Sequence, residues 1–167
     1  MNTKFLARGG LLTAAAVALL YLGGVSPWIG AAAAIAAGVC SAVPLLRRGR
    51  VRWSVLMYVA ASILSALIVP RKGLVVAYIG FAGLYPILKY LIEAHTPRGM
   101  QRILKLLYFN AILAAAVFAV AAGLFPQLAL PATWRLLVIW IGLNAVFEIY
   151  DIGLSRLIAT LRRNMPL

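Results

Sequence analysis

Acidic residues are nearly missing from this chain, with three Asp or Glu against 16 Lys or Arg in 167 residues. The three are Glu93, Glu148 and Asp151. Histidine and cysteine occur once each, as His95 and Cys40. A lone cysteine excludes an internal disulfide and a thiolate metal cluster, and a lone histidine excludes a histidine-built metal site. No glycine-rich phosphate loop, no HExxH and no serine placed beside a base is present. The two carboxylates three apart, Glu148 and Asp151, are the remaining acid–base pair. Among so many basic neighbours they read as ion-pair members. The expectation is therefore a protein that is not an enzyme and needs no cofactor or metal.

What the chain has in excess is apolar sequence. It is 65% hydrophobic, with a mean hydropathy of +1.00, whereas soluble domains run at roughly 45–50%. The net charge of +13 would suggest a nucleic-acid partner in a soluble protein, but these basic residues cap apolar runs instead of forming a continuous face. Nucleic acid is set aside as a partner, and a bilayer with an anionic inner leaflet is expected in its place.

About 20 apolar residues cross a hydrocarbon core of roughly 30 Å. Six runs approach that length, at 9–25, 28–46, 53–69, 73–92, 103–125 and 134–158. Lipid offers the backbone no hydrogen-bond partner and the runs lack the alternation of a barrel strand, so all six are expected as helices. The first run resembles a signal peptide but leads through Pro27 straight into the second, and is read as a retained helix. Thirteen basic residues fall on one side of the alternating spans: Lys4, Arg8, Arg47, Arg48, Arg50, Arg52, Lys89, Arg98, Arg102, Lys105, Arg156, Arg162 and Arg163. Arg71, Lys72 and Arg135 fall on the other. The positive-inside rule makes the first side cytoplasmic. The fold class expected is all-α, a single bundle of six short-looped transmembrane helices in the cell membrane with both termini inside.

Turn residues punctuate these runs: Gly23-Gly24-Val25-Ser26-Pro27, Arg47-Arg48-Gly49-Arg50, Pro70-Arg71-Lys72-Gly73, and a longer connection containing Pro126, Gln127 and Pro131. Trp28, Trp53, Trp134 and Tyr108 lie near span ends, as interfacial anchors do. The first two runs are built from Ala and Gly, which let helix backbones approach closely in lipid. Cys40 belongs to this small-residue set.

Three groups of side chains stand out. In the fourth run Gly80, Gly83 and Pro86 are three apart, so a kink is expected where Pro86 removes the hydrogen bond to Ala82. Tyr78 and Tyr85, seven apart on one face, could line a pocket or pack against a neighbour. In the sixth run Asn144, Glu148, Asp151 and Ser155 form one stripe. Intramembrane carboxylates need partners, so a polar cluster of Lys89, Asn110, Asn144, Glu148 and Asp151 is expected between the fourth, fifth and sixth helices. Lys105, Glu93 and Arg156 lie at comparable depth. Two roles are open to that cluster: a neutralised structural clamp, or a site for a polar ligand, a proton or a partner.

With six short-looped helices, cytoplasmic ends and Ala14 and Ala18 in the form Ala-x-x-x-Ala on the first helix, the chain resembles the substrate-binding S-components of energy-coupling factor transporters. That resemblance implies a small-molecule substrate and docking on a transmembrane coupling subunit through Ala14 and Ala18. In size and helix number the chain also resembles the rod-shape membrane protein MreD. This second resemblance implies a non-catalytic scaffold that holds other membrane proteins.

Overall fold

A computed structural model describes residues 3–46, 51–124 and 131–164. The basic turn at Arg47, Arg48 and Arg50 and the connection at Pro126 and Gln127 lie outside the described residues. Those described are helical with no strand among them: α1 (Thr3–Val25), α2 (Gly30–Ala42), α3 (Val51–Ile68), α4 (Lys72–Ala77), α5 (Tyr85–His95), α6 (Arg98–Ala121) and α7 (Thr133–Asn164). A π-helical turn, Tyr78–Ala82, joins α4 to α5, and 3₁₀ turns flank α2 at Pro27–Ile29 and Val43–Leu46. Five helical stretches are long and apolar enough to cross a membrane: Ala7–Val25, Val51–Ile68, Lys72–His95, Arg98–Ala121 and Thr133–Thr160. The apolar helix Gly30–Leu45 is shorter. Relative to the sequence boundaries, the fifth run starts earlier, at Arg98, and the sixth continues to Asn164.

The helices form two compact units, Met1–Leu91 and Ile92–Pro166, divided within α5. In the first, the buried face of α2 is Gly30, Ala33, Ala34, Ala37, Gly38, Ser41 and Ala42. That is the i, i+3, i+4, i+7 repeat of one helix face, made of small residues. The buried face of α3 is Ser54, Met57, Ala61, Ser62 and Ser65, while Leu56, Ile63, Leu67 and Ile68 are exposed. A water-soluble helix would place its large apolar side chains inward, so this reversed pattern is that of a lipid-facing helix packed through its small side.

Close approach is visible atom by atom. A Cβ added to Gly23 would lie 2.7 Å from Ala33 Cβ, and one on Gly24 would lie 2.7 Å from Val69 Cγ1. At Gly38 a Cβ would collide with the carbonyl oxygen of Ala82. Ala82 is the carbonyl whose helical donor would be residue 86, and proline has no N–H. The break in the fourth span and the bare backbone of Gly38 thus meet at one point.

The π turn arises in the same region. Gly83 donates its N–H to Tyr78 O at 2.8 Å, five residues back, and so leaves the Ile79 carbonyl without its usual donor. Tyr58 of α3 donates its hydroxyl there instead, at 2.8 Å. Ser54 donates to Ser41 O at 2.7 Å, tying α3 to α2. The core around these bonds is Ala16, Leu20, Ala34, Ala37, Ala61, Val69, Val75, Tyr78 and Ala82, with Cys40 packed against it.

In the second unit, α6 ends on Gly123, whose φ of 75° is the left-handed conformation that favours glycine. Gly123 donates to Val120 O and Leu124 to Ala119 O, the Schellman pair that satisfies the last carbonyls of a helix. Phe109 of α6 and Phe147 of α7 stack with ring centres 4.3 Å apart. Outside this seam the hairpin is apolar and uncovered, with Ile103, Leu107, Phe118, Leu137, Ile141 and Ile149 all exposed.

Candidate functional site: a polar ladder between α6 and α7

The seam of α6 and α7 carries polar groups in three tiers. In the first, Asn110 Nδ2 donates to Asn144 Oδ1 at 2.9 Å and Asn144 Nδ2 returns a bond to Asn110 Oδ1 at 3.3 Å. Trp140 Nε1 also donates to Asn110 Oδ1, at 2.7 Å. The remaining amide hydrogens go one turn back along each helix, from Asn110 to Leu106 O and from Asn144 to Trp140 O. Both amides are thereby satisfied as donors, which is what an amide in hydrocarbon requires.

The second tier lies beyond the Phe109–Phe147 stack. Lys105, whose side chain is 9% exposed, donates to Glu93 Oε1 at 2.6 Å and to Asp151 Oδ2 at 3.1 Å. One buried cation is thus held between two carboxylates from α5 and α7. The antiparallel register explains the neighbourhood: Asn110 opposes Asn144, so moving down α6 to Lys105 moves along α7 toward Asp151, within reach of the long lysine side chain. In the third tier Arg102 Nε meets Glu148 Oε1 at 3.0 Å, with the arginine largely exposed. Gln101 donates to Thr96 O at 2.8 Å and bridges the α5–α6 turn.

Of the residues singled out from sequence, the structure brings Asn110 and Asn144 together and sets Glu148 and Asp151 on the same seam. Ser155, the fourth member of the stripe, is exposed and donates to Asp151 O on its own helix. Lys89 is buried and belongs to the first unit. Lys105, which the sequence places at comparable depth, pairs with Asp151 and with Glu93. Tyr78 and Tyr85 are fully buried in the first unit. Tyr78 packs near Tyr58, with ring centres 6.1 Å apart, and Tyr85 stacks on Phe81 at 5.4 Å. Ala14 and Ala18 are both exposed on α1, along with Gly10 one turn earlier.

Beside the second and third tiers opens a cleft of about 320 Å³. Arg98, Gln101, Arg102 and Lys105 line it from α6. Phe147, Glu148, Asp151 and Ile152 line it from α7. Among the described residues no three of His, Cys, Asp and Glu converge to hold a metal ion. The arrangement can neutralise charge within the hairpin and present guanidinium groups at the cleft's edge. No protein-family model, no curated protein and no solved structure matches this chain.

Proposed function

We propose that the protein is a six-span membrane subunit with both ends in the cytoplasm, which acts without catalysis by binding a second membrane protein through α1. The observation that carries this reading is the two-sidedness of that helix. Ala16, Leu20 and Gly23 are buried, whereas another face is small over its N-terminal half, with Gly10, Ala14 and Ala18 exposed at spacings of four before the bulkier exposed Tyr21 and Val25. In lipid a small-residue face offers a partner helix close van der Waals contact that bulky lipid-facing residues prevent. This is the docking geometry that the resemblance to S-components implies.

Length supports the sixth crossing. The 13 residues of α2 rise about 20 Å at 1.5 Å each. Its flanking 3₁₀ turns, of three and four residues, add about 14 Å at 2.0 Å each. Together they match a hydrocarbon core of roughly 30 Å, and an even number of crossings accords with the distribution of basic residues. Photo-cross-linking tests the docking. Probes at Ala14 and Ala18 should give a discrete adduct with one membrane protein, and a probe at the exposed Ile63 of α3 should not. The adduct should disappear in Ala14→Leu/Ala18→Leu. Equal labelling from Ile63, or an adduct unchanged in the double variant, overturns the reading.

Within this reading a scaffold of the MreD kind is favoured over solute capture by one observation: the more deeply placed polar groups of the seam, Asn110, Asn144, Lys105 and Asp151, are engaged with one another or with Glu93. A scaffold retains its partner in the absence of any soluble ligand, whereas a solute-binding subunit releases or engages it as the solute is added.

A further inference from the structure

The α6–α7 cleft carries more cationic capacity than its own carboxylates use. Lys105 is answered by Glu93 of α5 and Asp151 of α7. Arg102 meets Glu148 through Nε alone, and its side chain is 75% exposed, so the two terminal amino groups of the guanidinium stand outside that pair. Arg98 lies four residues earlier on the same face of α6. It is exposed, and among the described residues no carboxylate lies within ion-pair distance of it. Guanidinium groups have donors only, in a planar fork that matches the oxygens of a phosphate.

We propose that this cleft binds a phosphate group on a small headgroup, the polar end of an anionic phospholipid, with Arg98 and the outer edge of Arg102 as its donors. Size is the first reason. A volume of about 320 Å³ is at the lower end of the roughly 300–1,000 Å³ of ligand pockets, enough for a phosphoglycerol and small for a ring-bearing solute. The second is the lining, in which Phe147 and Ile152 supply apolar surface beside the charged residues. The third is the adjoining surface of α7, where Ile152 of the lining and Ile149 beside it are 52% and 71% exposed. A basic edge continuing into an uncovered apolar helix face matches a molecule with a phosphate at one end and acyl chains at the other. Glu148 and Asp151 hold Arg102 and Lys105 in place and bias the cleft against a second, more deeply seated anion. Which leaflet supplies the lipid rests on the topology proposed above; the binding itself does not.

Native mass spectrometry of the full-length protein released from detergent micelles tests the proposal, with phosphatidylglycerol and phosphatidylcholine added in equal amounts. Phosphatidylglycerol should be retained preferentially, and less so as salt is raised. Arg98→Gln and Arg102→Gln should each weaken retention by roughly fivefold. Arg135→Gln, whose guanidinium sits over the Trp134 ring at 5.2 Å outside the cleft, should leave it unchanged. Glycerol phosphate added in excess separates the two sources of the chemistry. Failure to displace the lipid assigns the site to the lipid, and displacement assigns it to soluble phosphate compounds. Equal retention of the two lipids, or a double arginine variant that melts like the wild type and binds no more weakly than Arg135→Gln, overturns the proposal. Should the double variant melt early, the wild-type lipid preference and its salt dependence decide alone.

Discussion

The two units of this molecule hold their helices together by different physical means. In the first, Gly23, Gly24 and Gly38 let backbones touch, and two hydroxyls cross between helices to backbone carbonyls, Tyr58 to Ile79 and Ser54 to Ser41. In the second, glycines lie open: a Cβ on Gly99, Gly142 or Gly153 meets nothing within 4 Å. There side chain meets side chain, through Asn110–Asn144 and Lys105–Asp151. Lipid tails are as apolar as leucine, so burial from water drives neither pairing. Helices in that solvent adhere by fitting closely or by satisfying polar groups in one another, and this chain uses one device in each half.

Substitutions that exchange the two devices give the sharpest test. The largest effect is expected from Gly38→Val, because the added carbons enter the space of the Ala82 carbonyl, part of a backbone that cannot swing aside. Overpacking typically costs 1–3 kcal/mol and here should reach about 3 kcal/mol or more, read as a fall in detergent melting temperature. Gly153→Val, in open space on α7, should change melting only by the few tenths of a kcal/mol of helix propensity. Equal loss in the two variants would remove the distinction between the units.

Next in size is the Lys105 tier. Lys105→Ala removes one cation from Glu93 and Asp151, and one-sided removal of a buried pair costs about 3–5 kcal/mol in soluble proteins. Glu93 is 40% exposed and Asp151 19%, so solvent screening lowers the expected loss to about 2 kcal/mol. Asp151→Ala should cost less, since Glu93 still faces Lys105 at 2.6 Å. A melting series in which Asp151→Ala is worse than Lys105→Ala would show that Glu93 does not share the charge.

Asn110→Leu should cost about 1 kcal/mol, the scale of measured interhelical hydrogen bonds in membranes. It leaves Trp140 Nε1 without its acceptor, so tryptophan fluorescence should shift along with melting. The smallest effect belongs to Arg102→Ala, since exposed ion pairs contribute about 0–1 kcal/mol. Unchanged melting is expected there, and a large loss would mean that the third tier is structural.

Much of this could be read from residue spacing. Asn144, Glu148 and Asp151 share a stripe because four and three are helical intervals, and Pro86 after Gly80 and Gly83 marks a break. Other features depend on register between segments. That Lys105 holds Asp151 depends on where α6 and α7 are level, and nothing in the period of either helix sets that level. A kink is expected from Gly80, Gly83 and Pro86, but spacing cannot show that the Gly83 amide reaches Tyr78 and frees Ile79 for Tyr58. Tyr78 and Tyr85 share a face by spacing, yet whether that face meets a cavity or a packed core depends on the helices beside it.

By itself the sequence determined that this chain is helical and built for lipid, since runs of about 20 apolar residues can satisfy their backbone there only as helices or closed barrels, and these runs lack strand alternation. It also determined which residues are small enough for close contact and which carry charge that must be paired. Only the tertiary structure decided the partners: Gly38 against Ala82, Tyr58 on Ile79, Lys105 between Glu93 and Asp151, and Ala14 and Ala18 turned away from the core. The reason is that periodicity is a property of one helix, whereas partnership depends on the rotation and level of two, which packing of the whole surface selects.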